Sequence, residues 1–119
     1  MQAATKVTER TATAASGTPV TILAFSGDIA STSKDAIMDA YRGLGSTGSK
    51  VLLDFSGVEY INSSGIAIII QVLLEASKSG AHTIGIFGLT PHFNKVFTMV
   101  GVAKYATMSP DEATALAGL

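Results

Sequence analysis

The chain contains no cysteine. Disulfides, thiolate metal sites and cysteine catalysis are therefore excluded, and the composition fits a reducing compartment, so a cytoplasmic location is expected. Charge is scarce as well: charged residues make up 14% of the sequence, and eight basic against nine acidic side chains give a formal charge of −1. No basic cluster could neutralise several phosphates, so no nucleic-acid partner is expected. Long hydrophobic runs are missing. The longest, Ile66 to Leu74, is interrupted by Gln71 and falls far short of the ~20 residues of a membrane span. The segment from Met1 to Ser16 is rich in Ala and Thr but lacks the apolar stretch of a secretory signal. A soluble protein without a membrane span is expected.

Chemical motifs are thin too. The two histidines, His82 and His92, have no second ligand at a fixed short spacing, so they read as surface or cap-adjacent residues and no metal is expected. The glycine-rich stretches Gly43-Leu44-Gly45 and Gly85 to Gly88 lack the Lys-Ser/Thr of a phosphate loop, and no cofactor is expected. A Gly-x-Ser-x-Gly elbow is absent and Asp54 lies within an apolar strand, which argues against a Ser-His-Asp hydrolase. The chain reads as a non-enzyme with no catalytic residues.

What is present is a core. With 119 residues, 47% of them hydrophobic, the chain has the size and composition of one globular unit, taken as residues 1–119 with residues 1–4 flexible. Thr5 to Thr13 alternates weakly, as an edge strand does, and Ser16-Gly17-Thr18-Pro19 reads as a turn into a more apolar strand, Val20 to Phe25. Beyond Ser31-Thr32-Ser33, any of which could cap, Ala36, Ile37, Ala40, Tyr41 and Leu44 recur at helical spacing, followed by a Ser-Thr-Gly-Ser linker. Lys50 to Phe55 is a short continuous apolar strand, as in a sheet covered on both faces. A helix over about Ser64 to Ser79 ends at the cap residue Gly80. His82 to Phe87 forms the next strand. Thr90-Pro91 starts a helix with the stripe Phe93, Val96, Phe97 and Val100. Ala103 to Met108 reads as a last strand, and Ser109-Pro110-Asp111-Glu112 starts a closing helix to about Leu116. The order predicts an α/β fold with a mixed, mostly parallel sheet of about five strands and about four helices.

The junction most able to carry function is Asn62-Ser63-Ser64-Gly65, where a strand and short loop run into a strongly apolar helix. A helix start has unpaired N–H groups and the positive end of the macrodipole, so small polar side chains satisfy it and an anion there is stabilised. Asn62 or Ser63 can serve as the N-cap. Ser64, Gln71, Glu75 and Lys78 share one helix face with Ile68 on its edge, a polar face bearing an isoleucine that suits a partner. Phe93 and Phe97 read as core, and Met99, off that stripe, as an interface residue.

Three segments resemble a known family. Leu53-Asp54-Phe55-Ser56-Gly57-Val58 through Asn62-Ser63-Ser64-Gly65-Ile66 is similar to the signature of the STAS domain of bacterial anti-sigma-factor antagonists, whose usual form is an acidic residue followed by Ser-Ser/Thr-Gly-Leu. Thr90 to Val102 is similar to the family's Ser/Thr-Pro helix, and Phe25-Ser26-Gly27-Asp28-Ile29 to its strand end followed by Gly-x-Leu-Asp. The resemblance implies a protein-binding switch in signal transduction and transcription regulation. Such a protein sequesters an anti-sigma factor, often a serine kinase. It is controlled by phosphorylation of the first serine of the motif, here Ser63 with Ser64 as the alternative acceptor, and is reset by a PP2C-type phosphatase. The implied partner-binding residues are Asp28, Asn62, Ser63, Ser64, Gly65, Ile68, Gln71, Glu75 and Met99. Two positions depart from the pattern: Asn62 and Ala30 stand where the family carries acids. Both remove negative charge near Ser63, which keeps open a second reading, an unphosphorylated scaffold or assembly module.

Overall fold

A computed structural model describes residues 4–45 and 50–119. The expected flexible start falls mostly on residues 1–3, and the Ser-Thr-Gly-Ser linker on 46–49; both lie outside the described residues. The elements are β1 (Lys6–Thr13), β2 (Pro19–Ser26), α1 (Lys34–Arg42), β3 (Lys50–Gly57), α2 (Ser63–Ser79), β4 (Thr83–Phe87), α3 (Pro91–Met99), β5 (Ala106–Ser109) and α4 (Glu112–Ala117). Single 3-10 turns at Ser31–Ser33 and Val102–Lys104 precede α1 and β5.

The sheet order is β1-β2-β3-β4-β5, with β1 antiparallel to β2 and the other pairs parallel. A parallel connection requires a crossover, and consecutive right-handed crossovers to adjacent strands put their helices on one face. Accordingly Val51, Leu53 and Phe55 of β3 join α1, α2 and α3 in the main core, through Ile37, Ile69, Val72, Leu73 and Phe97. Phe55 stands at its centre, 5.1 Å from Phe25 and 5.7 Å from Phe97 between ring centroids. Residues of the opposite parity, Val20, Ile22, Leu52 and Phe87, face the other side, where α4 covers them with Ala115 and Leu116. Each fully buried aliphatic or aromatic side chain contributes roughly 1.5–3 kcal/mol, so the two clusters hold the layers together.

The start of the last strand differs from expectation. Gly101 adopts φ 88°, and Val102–Lys104 then winds into a 3-10 turn, so β5 begins at Ala106 rather than Ala103. A left-handed glycine after a helix reverses the chain before it can extend. At α1, the Ser33 hydroxyl does not cap the helix. It turns back to accept the Ala30 N–H at 2.9 Å and lies buried.

Candidate functional site

The loop after β3 is anchored before the helix begins. Val58 and Ile61 are buried, and Ile61 forms a parallel bridge with Ile29, the residue after the β2 turn. The Ile29 N–H donates to the Tyr60 carbonyl at 3.0 Å, and the Asn62 N–H donates to the Ile29 carbonyl at 3.1 Å. These bonds clasp the start of α2 to the end of β2.

Asn62 is extended, at φ −87° and ψ 179°, and its Oδ1 accepts the Gly65 N–H at 2.8 Å. Its carbonyl takes the Ile66 N–H at 3.0 Å. Of the two candidates, Asn62 is therefore the N-cap. Ser63 and Ser64 occupy the first two helical positions and are exposed, with their hydroxyls outside the cap. The first N–H groups of a helix have no intrahelical acceptor, so the two serines sit at a positive, anion-accepting end. Gly65 is buried against Ile29: a Cβ there would stand 2.4 Å from the Ile29 carbonyl oxygen.

On the α1 side of the serines lies an open groove of about 270 Å³ lined by Ser31, Lys34, Ser64, Ala67, Ile68 and Gln71. Ile68 forms part of its floor, and at 5% exposure it belongs to the main core. The expectation of an isoleucine at the edge of an open face is corrected: the helical pattern shows the edge, but the side chain is drawn into the core. Further along, Glu75 receives two hydrogen bonds from Arg42 of α1, at 3.1 and 2.7 Å. These bonds from the Arg42 guanidinium hold the Glu75 carboxyl below its ordinary range. Glu75 is thus an internal clamp as well as a surface residue.

Asp28 is half-buried, and its carbonyl accepts the Thr5 hydroxyl at 2.7 Å and the Ser33 hydroxyl at 3.4 Å. Thr5 and Ser33 also bond to each other, which ties the beginning of β1 to the turn beneath the site. Asp28, Asn62, Ser63, Ser64, Gly65 and Ile68 are thereby gathered at the C-terminal end of the parallel strands, with Gln71 one turn below. Met99 is not gathered with them. It is 75% exposed but is the last residue of α3. Both α2 and α3 start at that end of the sheet, so Met99, the last residue of α3, lies back along the strands, next to Thr98, whose hydroxyl is 3.9 Å from the Met108 sulfur of β5.

Three residues at the site escaped the sequence reading. Tyr60 is 51% exposed two residues before the cap, its ring 6.5 Å from Phe93; a large aromatic in a polar loop was the available signal. Lys34 and Ser31, the latter marked in the sequence only as a possible helix cap, line the groove from the β2–α1 connection. Ala30 is 3% exposed, so the position of one missing acid is here apolar and closed. His82 is half-buried, unlike the surface residue expected, with Nδ1 2.9 Å from the Tyr41 hydroxyl. His92 is exposed and packs edge-on to Phe93. Among the described residues no three His, Cys, Asp or Glu side chains are placed to hold a metal ion.

Residues 12–110 match a family model described as "Mlab, STAS domain". No curated protein matches the sequence. Among solved structures, an anti-sigma factor antagonist from Mycobacterium paratuberculosis is similar at a TM-score of 0.72 and 20% identity, over 93% of this chain and 92% of that one. The anti-sigma factor antagonist SpoIIAA in its unphosphorylated form gives 0.66 and 12% over 92% of each chain. The Bacillus cell fate determinant SpoIIAA in its phosphorylated form gives 0.65 and 13% over 92% and 96%. At these identities the likeness is one of fold.

Proposed function

Because the chain belongs to the STAS domain family, we propose that it acts as a non-enzymatic protein-binding switch. In this reading it is an anti-sigma-factor antagonist that captures an anti-sigma factor or serine kinase through the start of α2. Phosphorylation of Ser63 controls it and a PP2C-type phosphatase resets it. The observation that carries the reading is the division of labour at the helix start. Asn62 supplies the cap, so Ser63 is left exposed and available for modification without loss of the helix. A phosphate there adds about −1.5 to −2 charges. The helix N-terminus tolerates it, whereas a partner carboxylate ~4 Å away would be repelled by about 4 kcal/mol at an effective dielectric of about 20. That corresponds to roughly a thousandfold in affinity.

The docking surface in this reading comprises Asp28, Asn62, Ser63, Ser64, Gly65 and Gln71, with Ile68 as groove floor and Glu75 at its lower border. A partner pull-down tests it: Ser63→Asp weakens capture at least about tenfold, or ~1.4 kcal/mol, while Ser63→Ala preserves it. Equal capture by both variants and the parent removes the switch.

A second reading, a constitutive scaffold or assembly module, is favoured by the neutral Asn62 and the closed, apolar Ala30 where the family carries acids. Mass spectrometry after mixing with a cognate kinase and ATP separates the two. Phosphate on Ser63 or Ser64 supports the switch, and an intact complex without phosphate supports the scaffold.

A further inference from the structure

The edge of the sheet at which β4 and β5 begin has its own surface chemistry. Five large apolar side chains are exposed among the described residues, and four of them, Leu74, Met99, Val100 and Tyr105, lie toward this end. The last turns of α2 and α3 collect at the N-terminal edge of the sheet, and so does Tyr105, which precedes the Ala106–Ile84 pair of β5 and β4.

Lysines interleave with these side chains. Lys78 lies one helical turn beyond Leu74, Lys95 one turn before Met99, and Lys104 next to Tyr105; all three are exposed. Residues four apart on a helix are surface neighbours, so α2 and α3 each present an apolar–cationic pair. A Cβ on Gly101 would stand 4.0 Å from Lys104 Cδ, so the Lys104 stem lies along the turn that joins Val100 to Tyr105. The carboxylate closest in sequence to this stretch of α2, Glu75, is bound by Arg42 on the α1 side.

Met99, 75% exposed, and Val100, 49% exposed, stand at the C-terminal end of α3. Projecting apolar groups enter the headgroup–acyl boundary of a bilayer while neighbouring lysines remain at the phosphates. We propose that this end is a second interaction surface that seats on an anionic lipid bilayer. The cationic rim supplies the charge complementarity, and Met99, Val100 and Tyr105 supply the insertion. Seated so, the molecule holds Ser63 and its groove away from the lipid, open to a soluble partner.

Co-sedimentation of the full chain with vesicles tests this. Vesicles of equal parts phosphatidylcholine and phosphatidylglycerol retain the protein, and pure phosphatidylcholine vesicles do not. Lys95→Gln and Lys104→Gln each weaken retention about fivefold, and Met99→Ser with Val100→Ser weakens it further. Retention falls as salt rises from about 0.1 M to 1 M, where screening shortens to ~3 Å. The substituted side chains are exposed, so unchanged thermal midpoints are expected for these variants. No retention on the anionic vesicles, or equal retention of parent and variants, overturns the proposal. So does concentration-dependent self-association abolished by Met99→Ser with Val100→Ser and unaccompanied by vesicle binding, which would assign the end to a second copy of the chain.

Discussion

Gly65 is fixed by a backbone oxygen, not by a turn. Its Cα approaches Ile29 so closely that a methyl group would meet both the carbonyl and the Cγ2 of that residue at 2.9 Å or less. Backbone cannot move aside as the end of a flexible side chain can. Gly65→Ala is therefore expected to destabilise the fold by about 1–3 kcal/mol, read as a lowered urea midpoint, and to displace Ser63 with the helix start. A midpoint equal to the parent's would mean that Ile29 does not set the position of α2. At this scale the sequence was a good guide: a strand, a polar cap and a glycine before an apolar run are local signals, and the serine motif lies where they point. Ser33 was legible only as a possible helix cap. It turns back instead to Ala30, three residues earlier, and to Thr5, a contact spanning 28 residues that no local pattern shows.

Elements succeed or fail in the sequence according to whether their neighbours are known. The buried stripe of α2 follows from its own periodicity. Ile68, by contrast, is buried in the main core among residues of other elements, and the Arg42–Glu75 clamp between α1 and α2 joins residues 33 apart. A similar clamp joins β1 to α4, where Arg10 pairs with Glu112 on one side and lies 3.8 Å from Asp54 on the other. Hydrogen bonds from the two arginines hold Glu75 and Glu112 below their ordinary value of 4.5. A carboxylate whose folded pKa is depressed stabilises fully above its unfolded value and loses that contribution as pH falls through the folded one. The urea midpoint should accordingly decline on acidification below pH 4.5. Arg42→Gln should flatten that decline by one pair's share while lowering the plateau slightly, since exposed pairs contribute little. Parallel curves for parent and variant would remove Glu75 from the acid response.

The molecule as a whole is asymmetric in how its sheet is covered. Three helices bury one face, whereas the other depends on the six residues of α4 and the chain after it, through Ala115, Leu116 and Leu119. Ending the chain at Pro110 would expose Ile22, Leu52 and Phe87. At roughly 1.5–3 kcal/mol for each large side chain uncovered, the urea midpoint should fall sharply and an apolar dye should bind; an unchanged midpoint without dye binding would show that α4 is dispensable. The parallel order of the strands was readable from their alternation with helices, but which face α4 joins was not, because a short amphipathic segment fits either side. The clasp between Ile29 and Ile61 has one more consequence, for enzymology. Ser63 already carries helical backbone geometry, and Asn62 before it is both the helix cap and the residue that Ile29 holds. An enzyme that reads its substrate as an extended strand would have to unwind that turn and break the clasp. A modifying enzyme acting on Ser63 must therefore recognise the folded surface, and a short linear peptide copied from this segment would make a poor substrate.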